Sequence, residues 1–399
     1  MAWTGIWAAV FHWFVSVFNA CDYMRYVTGF SSESFGMYVG IIYLIKGVEE
    51  LVNEFEIAGP AGGYLACMIA ILYFASVYAL EKLGSGEIWR AGSEASSPTT
   101  PMLCFCTVFW VGLSRIPGTI QSTHVARIPV TESFKPAQPR SWLIDFWNLE
   151  VKWVFVAMPF GFLVMLLFYY DHNVSSITAQ ARQFPLKKPG GFHWDFFLLG
   201  CTTFVAGILG LPMPNGLIPQ APVHTDSLTV YMTGLRIIPT AEGEDIEIRR
   251  PVVTAEAVVE QRVSHFVMGV ALIGTMTGPL LAVLHTMPNA VFAGVFFVVG
   301  WGSIESNGIL QKIRKRKIWL YIGIQFFAVA ACVAISHTLA AVGFPVLVLL
   351  LVPLRTLVVP GWFKLKELQI LDEFTTTNKM VLASLGGKPA LPENSKEDD

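Results

Sequence analysis

Long runs without a single charge restrict this chain more than any other feature. Between Lys152 and Asp171 there is none, and the next such run closes only at Asp226. A soluble domain needs a charged exterior, so stretches like these are solvated by lipid. Apolar segments of the length that crosses a hydrocarbon core, about 17–25 residues, run over residues 3–20, 34–51, 62–80, 151–170, 193–211, 263–285, 290–304, 318–338 and 339–359, with a shorter one at 101–113. Charged residues make up 14% of the 399 and the mean hydropathy is +0.55, against about 25% charge in an average soluble domain. The chain is therefore expected to be an all-α polytopic membrane protein with the lipid bilayer as its surroundings. A net charge of -2 offers nothing to nucleic acid.

Six cysteines, Cys21, Cys67, Cys104, Cys106, Cys201 and Cys332, sit in or beside apolar runs at irregular spacing. Neither a zinc pattern nor a disulfide framework is present. Apolar sequence begins at Trp3 with no basic leader and no small-residue cleavage site after it, which reads as a genuine span and not a signal peptide. It also points to a chain lacking upstream segments.

Loop charges set the expected orientation. Lys312, Arg314, Lys315, Arg316 and Lys317 form the densest basic cluster, which belongs in the cytoplasm. Counting back places Glu49, Glu50, Glu54 and Glu56 outside. The loop over 114–142, with Arg115, Arg127, Lys135 and Arg140, runs against that rule, but long loops obey it poorly. Its neighbours Trp142, Phe146 and Trp147 suggest a stretch lying in the interface. The polar segment 236–262 reads as a solvated cytoplasmic loop, and 373–399 as a disordered cytoplasmic tail.

The proline-rich segment from Gly210 to Thr225 is the first candidate for chemistry. Pro212, Pro214, Pro219 and Pro222 forbid an ordinary transmembrane helix there. Pro219 suits the first turn of a helix, and Asn215 or Gly216 the turn before it. This predicts a discontinuous half-helix near 217–231 that starts inside the membrane. Its free N–H groups would seat an anion, with the Gln220 amide beside them. A surface loop is the plainer reading, although no charge appears until Asp226. Asp171 is the second candidate: a carboxylate within a span costs about 2.5–3.5 kcal/mol at the bilayer centre and usually lines a pathway, unless its span ends at Tyr170. His224 and Thr225 lie about a turn beyond Gln220, with packing the plainer role for His224. Glu260, Gln261 and Arg262 read as a cap on the helix that follows. Nucleotide-binding loops, HExxH, GxSxG elbows and paired Cys or His sets are absent. No enzyme, metal or cofactor is expected, and any transport would be secondary.

Several motifs occur in a familiar order. Val259-Glu-Gln-Arg-Val-Ser264, Gly323-Ile-Gln325, Val352-Pro-Leu-Arg355 and Glu367-Leu-Gln-Ile-Leu-Asp372 resemble the bicarbonate transporter and anion exchanger family. The run from Pro214 to Thr225, with Tyr169-Tyr-Asp-His172, is similar to the plant and fungal boron exporters within it. The resemblance implies an inverted-repeat fold of two sets of seven segments, of which this chain carries about segments 4–14 in a transporter domain over 1–372. A core, about 1–22 and 151–286, would move against a gate, about 34–115 and 290–359, within a homodimer. It implies a borate or bicarbonate substrate bound by Asp171, Asn215, Gly216, Gln220, His224 and Thr225. Borate efflux across the plasma membrane is the expectation, with the vacuolar membrane, bicarbonate exchange or a non-transporting membrane scaffold as alternatives. Gln220 stands where animal exchangers carry an arginine, which favours boric acid or borate over chloride–bicarbonate exchange.

Overall fold

Helix α1 (Ala2–Val17) buries Ala2, Gly5, Ala8, Ala9, His12 and Ser16, one face repeating every three to four residues. The computed structural model describes residues 1–84, 99–180, 184–216, 220–238, 248–313, 319–338, 341, 343–363, 372, 375 and 379–387. Pro219, the basic run 314–317, the acidic stretch 242–247 and the tail beyond 387 lie outside these. A left-handed Asn19 (φ 53°) turns the chain by 75° into a 3-10 helix, Ala20–Tyr26.

Helix α2 (Gly29–Gly84) holds two of the expected spans, divided where Gly59 takes φ 74° ahead of Pro60. Glycine enters that region without penalty, and proline cannot continue the preceding ladder. The two arms fold back: Phe55 stacks edge-on against Tyr64 at 5.2 Å. Gly47 on the first arm and Tyr73 on the second both meet α9 (Asn289–Glu305), at Ala293 and Gly294. Helix α3 (Thr99–Leu113) joins the second arm through Tyr73–Thr107 (3.0 Å) and Trp110–Ser76 (3.0 Å) hydrogen bonds.

A second bundle forms from α1, α4 (Val151–Ala179) and α5 (Phe192–Leu209). A Cβ on Gly5 would lie 2.9 Å from the Gly207 Cα, so α1 and α5 touch backbone to backbone. Small residues at the seam suit a membrane bundle, where association comes from packing and not from escape from water. Helix α6 (Gln220–Ser227) packs on α4. Then come β1 (Thr229–Ile238) and β2 (Ile248–Val258), paired antiparallel from Thr229 with Val258 to Ile238 with Ile248. This corrects the expected solvated loop at 236–262. Val252, Val253 and Thr254 favour extended backbone, and hairpin pairing satisfies its polar groups.

Helices α7 (Val263–Gly274) and α8 (Gly278–His285) meet at 85°, so the apolar run there is bent sharply and is not one straight helix. Gln261 caps α7 by accepting from Ser264 N at 2.9 Å, while Glu260 reaches away to the Lys187 and Lys188 amides. Beyond α9 follow α10 (Gly308–Ile313), α11 (Trp319–Ser336) and α12 (Phe344–Pro353), the last continuing through a π turn at Leu354–Val358 after Pro353. Among the described residues five helices are long and apolar enough to cross a membrane, or up to seven if each bent pair is one span. The break at Gly59 divides one of them, and two shorter apolar helices, Met102–Leu113 and Asn289–Glu305, complete the set read from the sequence.

Within the stretch expected to be a disordered tail, α13 (Lys379–Ser384) buries Val381 and Leu382, with Leu385 just beyond it. Ahead of it, Asp372 pairs with Arg355 and accepts from Phe30 N at 2.9 Å, fastening this strap to the start of α2. Both side chains of the pair are buried, at 8% and 0% exposure.

Two consequences can be measured as thermal unfolding in detergent. Gly5→Val should cost about 1–3 kcal/mol, because neither backbone at the α1–α5 seam can yield. Arg355→Leu should cost about 3–5 kcal/mol by leaving the Asp372 carboxylate buried beside no cation, and Asp372→Leu added to it should recover part of the loss.

Candidate functional site

Helix α5 ends at Gly210, whose left-handed φ of 62° suits the residue after a helix. Leu211 N returns to Ala206 O at 2.9 Å, and the Arg140 guanidinium donates to Leu209 O (3.0 Å) and Gly210 O (3.1 Å). From 211 to 216 the chain has no regular structure, as the prolines demand. Residues 217–219 lie outside the described set, and α6 begins at Gln220. The expected half-helix is therefore present as Gln220–Ser227, shorter than the 217–231 read from the sequence, because Thr229 already enters β1.

The irregular segment is held against α4. Asn215 Nδ2 donates to Asp171 Oδ2 at 2.5 Å, and both residues are half-buried. An amide donating to a carboxylate is a charge-assisted bond, about twice as strong as a neutral one. The next residue, Gly216, lies so close to α4 that an added Cβ would stand 3.3 Å from His172 Nδ1. Next on α4, Asn173 is fully buried and donates to Tyr169 O one turn back at 2.7 Å, while the Tyr169 hydroxyl donates to Ala20 O at 2.7 Å. Tyr43, on the first arm of α2, lies within electrostatic reach of Asp171. Phe35 of the same arm meets Tyr170, the residue before Asp171, edge-on at 5.2 Å, so α4 borders the first bundle here.

Of the six residues singled out in the sequence, the structure joins Asp171, Asn215 and Gly216 into one cluster. Gln220 is exposed at the first position of α6, where the helix dipole leaves a partial positive charge. His224 is placed by α7: its Nε2 is 3.3 Å from Ser264 Oγ, and its ring meets that of His265 edge-on at 4.7 Å. Thr225 Oγ1 donates to Ala221 O at 3.2 Å, within its own helix. His224 ties α6 to α7, and the described partners of neither residue include Asp171.

Sequence reasoning passed over His172, Ser175, Asp195 and Tyr43. Asp195 carried a usable signal, as the lone charge in the apolar run 193–211. Tyr43 carried none, since aromatic residues are common at packed helix faces. Among the described residues no cluster of three His, Cys, Asp or Glu is arranged to hold a metal. The arrangement offers a carboxylate acceptor, an amide and a helix N-terminus at a break in the helical ladder, a set able to hold a small hydroxylated or anionic solute.

Comparison with known proteins is consistent over most of the chain. The model of the HCO3- transporter integral membrane domain matches residues 1–61 and 102–376. A Schizosaccharomyces pombe protein whose name calls it a transporter is 39% identical over 394 residues, covering 94% of this chain and 74% of its own length. Boron transporter 1 of Saccharomyces cerevisiae is 32% identical over 418 residues, covering 96% and 68%. Among solved structures, the transmembrane domain of a cyanobacterium bicarbonate transporter, BicA, superposes with a TM-score of 0.54 at 14% identity, covering 87% of this chain and 75% of the other. That likeness speaks to the fold alone.

The Asn215–Asp171 bond has a measurable signature. Asn215→Ala should raise amide hydrogen exchange over 211–216 by about 10- to 100-fold, the equivalent of the roughly 1.5–3 kcal/mol carried by a hydrogen bond to a charged group. Exchange in the middle of α4 should not change.

Proposed function

Since this chain belongs to the family defined by the HCO3- transporter integral membrane domain, we propose that it is a secondary transporter carrying borate or boric acid out across the plasma membrane, working as a homodimer. The observation that supports the site is the hydrogen bond from Asn215 to Asp171. It ties a broken, proline-rich crossing to the carboxylate of an unbroken helix, at a place that Tyr43 of the opposite bundle approaches.

The chemistry of the solute suits these groups. Borate and boric acid present several hydroxyl donors, and the Asp171 carboxylate accepts hydrogen bonds through two oxygens. Asn215 and Gln220 carry amides that donate and accept, so they bind an O–H or an O⁻ equally. The α6 N-terminus adds partial positive charge without a formal cation. Gln220 here, in place of the arginine of animal exchangers, suits a weakly charged, hydroxyl-rich solute better than chloride. The relationship to Boron transporter 1 of Saccharomyces cerevisiae supports the same substrate.

In the cycle we envisage, the core, about 1–22 and 151–286, carries Asp171, Asn215, Gly216 and Gln220 as one unit. It rocks against the gate, about 34–115 and 290–359, so that the site faces each side in turn. His224 supports α6 from α7, and Thr225 ties it internally through Ala221 O.

The test is boron release from liposomes containing the full chain, followed by mass spectrometry. Asp171→Asn and Asn215→Ala should each slow release by about 10- to 100-fold, the loss expected when a charge-assisted contact to the solute disappears. Gln220→Ala should weaken apparent affinity by a smaller factor. Release of bicarbonate without release of boron would overturn the choice of substrate, and normal boron release by both Asp171→Asn and Asn215→Ala would overturn the site.

A further inference from the structure

His172 follows Asp171 on α4, and its ring is held among three elements. Its Nε2 lies 3.7 Å from Asp195 Oδ2 in the first turn of α5. Its Nδ1 faces Gly216 of the irregular segment, and the ring packs beside Phe196 at 6.2 Å between centroids. Both nitrogens are buried, and neither has a hydrogen-bond partner among the described residues. A buried polar atom without a partner costs free energy and calls for an explanation. Imidazole is also the side chain suited to taking up and releasing protons near neutral pH. The side chain of His172 is 16% exposed and that of Asp195 59% exposed. A nearly buried titratable ring therefore stands between a half-buried carboxylate at the site and a carboxylate open to the outside of the bundle.

We propose that His172 is a proton relay, passing protons between Asp195 at the surface and Asp171 at the site. The idea rests on the transport reading, in which Asp171 changes ionisation as solute binds and leaves. It deepens that reading by giving the carboxyl a route to water that does not open the site. In the inward direction, a proton on the Asp195 carboxyl moves to His172 Nε2. The imidazolium so formed releases its Nδ1 proton towards Asp171, along the segment where the Asn215 amide already meets the carboxylate, a bridging water being the usual carrier over such a gap. The ring is left neutral with its proton on Nε2, and the reverse sequence restores it. No proton is gained or lost by the relay.

Other ionisable groups around the ring do not offer a competing route. On α1, His12 is within electrostatic reach; its Nδ1 is 2.5 Å from Ala8 O, which fixes the ring in its own helix, and its buried Nε2 has no partner among the described residues, Asp171 and Asp195 included. From α2, Tyr43 approaches Asp171. The irregular segment contributes the uncharged Asn215 and Gly216, and α4 itself contributes Asp171 and the hydroxyl of Ser175.

The experiment is a pH jump on the full chain in bilayers, with the Asp171 carboxyl stretch followed by time-resolved infrared spectroscopy and identified by its disappearance in Asp171→Asn. His172→Ala and Asp195→Asn should each slow protonation of Asp171 by about 100-fold or more, in the range typical of a lost proton-transfer group, with the final amplitude unchanged. Added imidazole should restore the rate in His172→Ala but not in Asp195→Asn, a rescue that a purely packing role would not allow. Rates equal to those of the unsubstituted chain in both variants would overturn the relay. Boron release measured on the same liposomes separates the two ideas. Failure of the unsubstituted chain to move either boron or bicarbonate, with the slowed and rescued rates intact, would sink the transport reading while supporting the relay.

Discussion

A helix that stops within a bilayer leaves carbonyl and amide groups that lipid cannot satisfy, and every special feature of this protein follows from how those groups are served. At the end of α5 they are served from a distance. Arg140, in a loop far back in the chain, donates to Leu209 O and Gly210 O, and Ile144 N donates to Ile208 O. Asn215 is taken up by Asp171. Protein thus holds the irregular segment at both ends, while Pro212 and Pro214 between them stay exposed. The same contacts bring an amide, a carboxylate and a histidine together where a solute can be held.

The two bundles around this segment are built by close approach and not by bulk. Gly5 against Gly207 brings α1 onto α5, and Gly40 against Gly300 brings the first arm of α2 onto α9. In lipid such contacts gain dispersion energy and little from the hydrophobic effect, so a seam tight enough to exclude a methyl group is a rigid one. Rigid bundles matter for function. If Asp171 is to meet its solute at a fixed angle, α4 has to be held by its neighbours, and Gly161 packing on Trp7 and Ala8 of α1 contributes to that. At the other end of the molecule, the Arg355–Asp372 pair fastens the strap that ends in α13 to the first turn of α2.

Much of the fold was legible in the sequence because its signals are local. Each apolar run became a helix, and Gly210, Pro212 and Pro214 marked the break where the ladder fails. The loop 236–262 misled because its charges masked a β-branched pattern that only pairing between β1 and β2 makes visible. The expected tail misled for a related reason: Val381 and Leu385 are too few to signal a buried element until the cluster that includes Cys21, Met24 and Val27 is there to receive them. In the site, spacing along α6 suggested that His224 shares a face with Gln220. The structure gives His224 to Ser264 and His265, since α7 competes for that face.

By itself the sequence determined that this is a membrane protein of apolar helices, that the proline-rich crossing breaks, and that it and Asp171 are the places to look. Hydropathy and proline chemistry act over a few residues, so they can be read in order along the chain. Only the tertiary structure decided that Asn215 is the partner of Asp171, that His172 faces Asp195, and that Tyr43 approaches from the other bundle. Those pairings depend on how separate helices rotate and pack, and no pattern within one helix records which neighbour its polar side chains will meet.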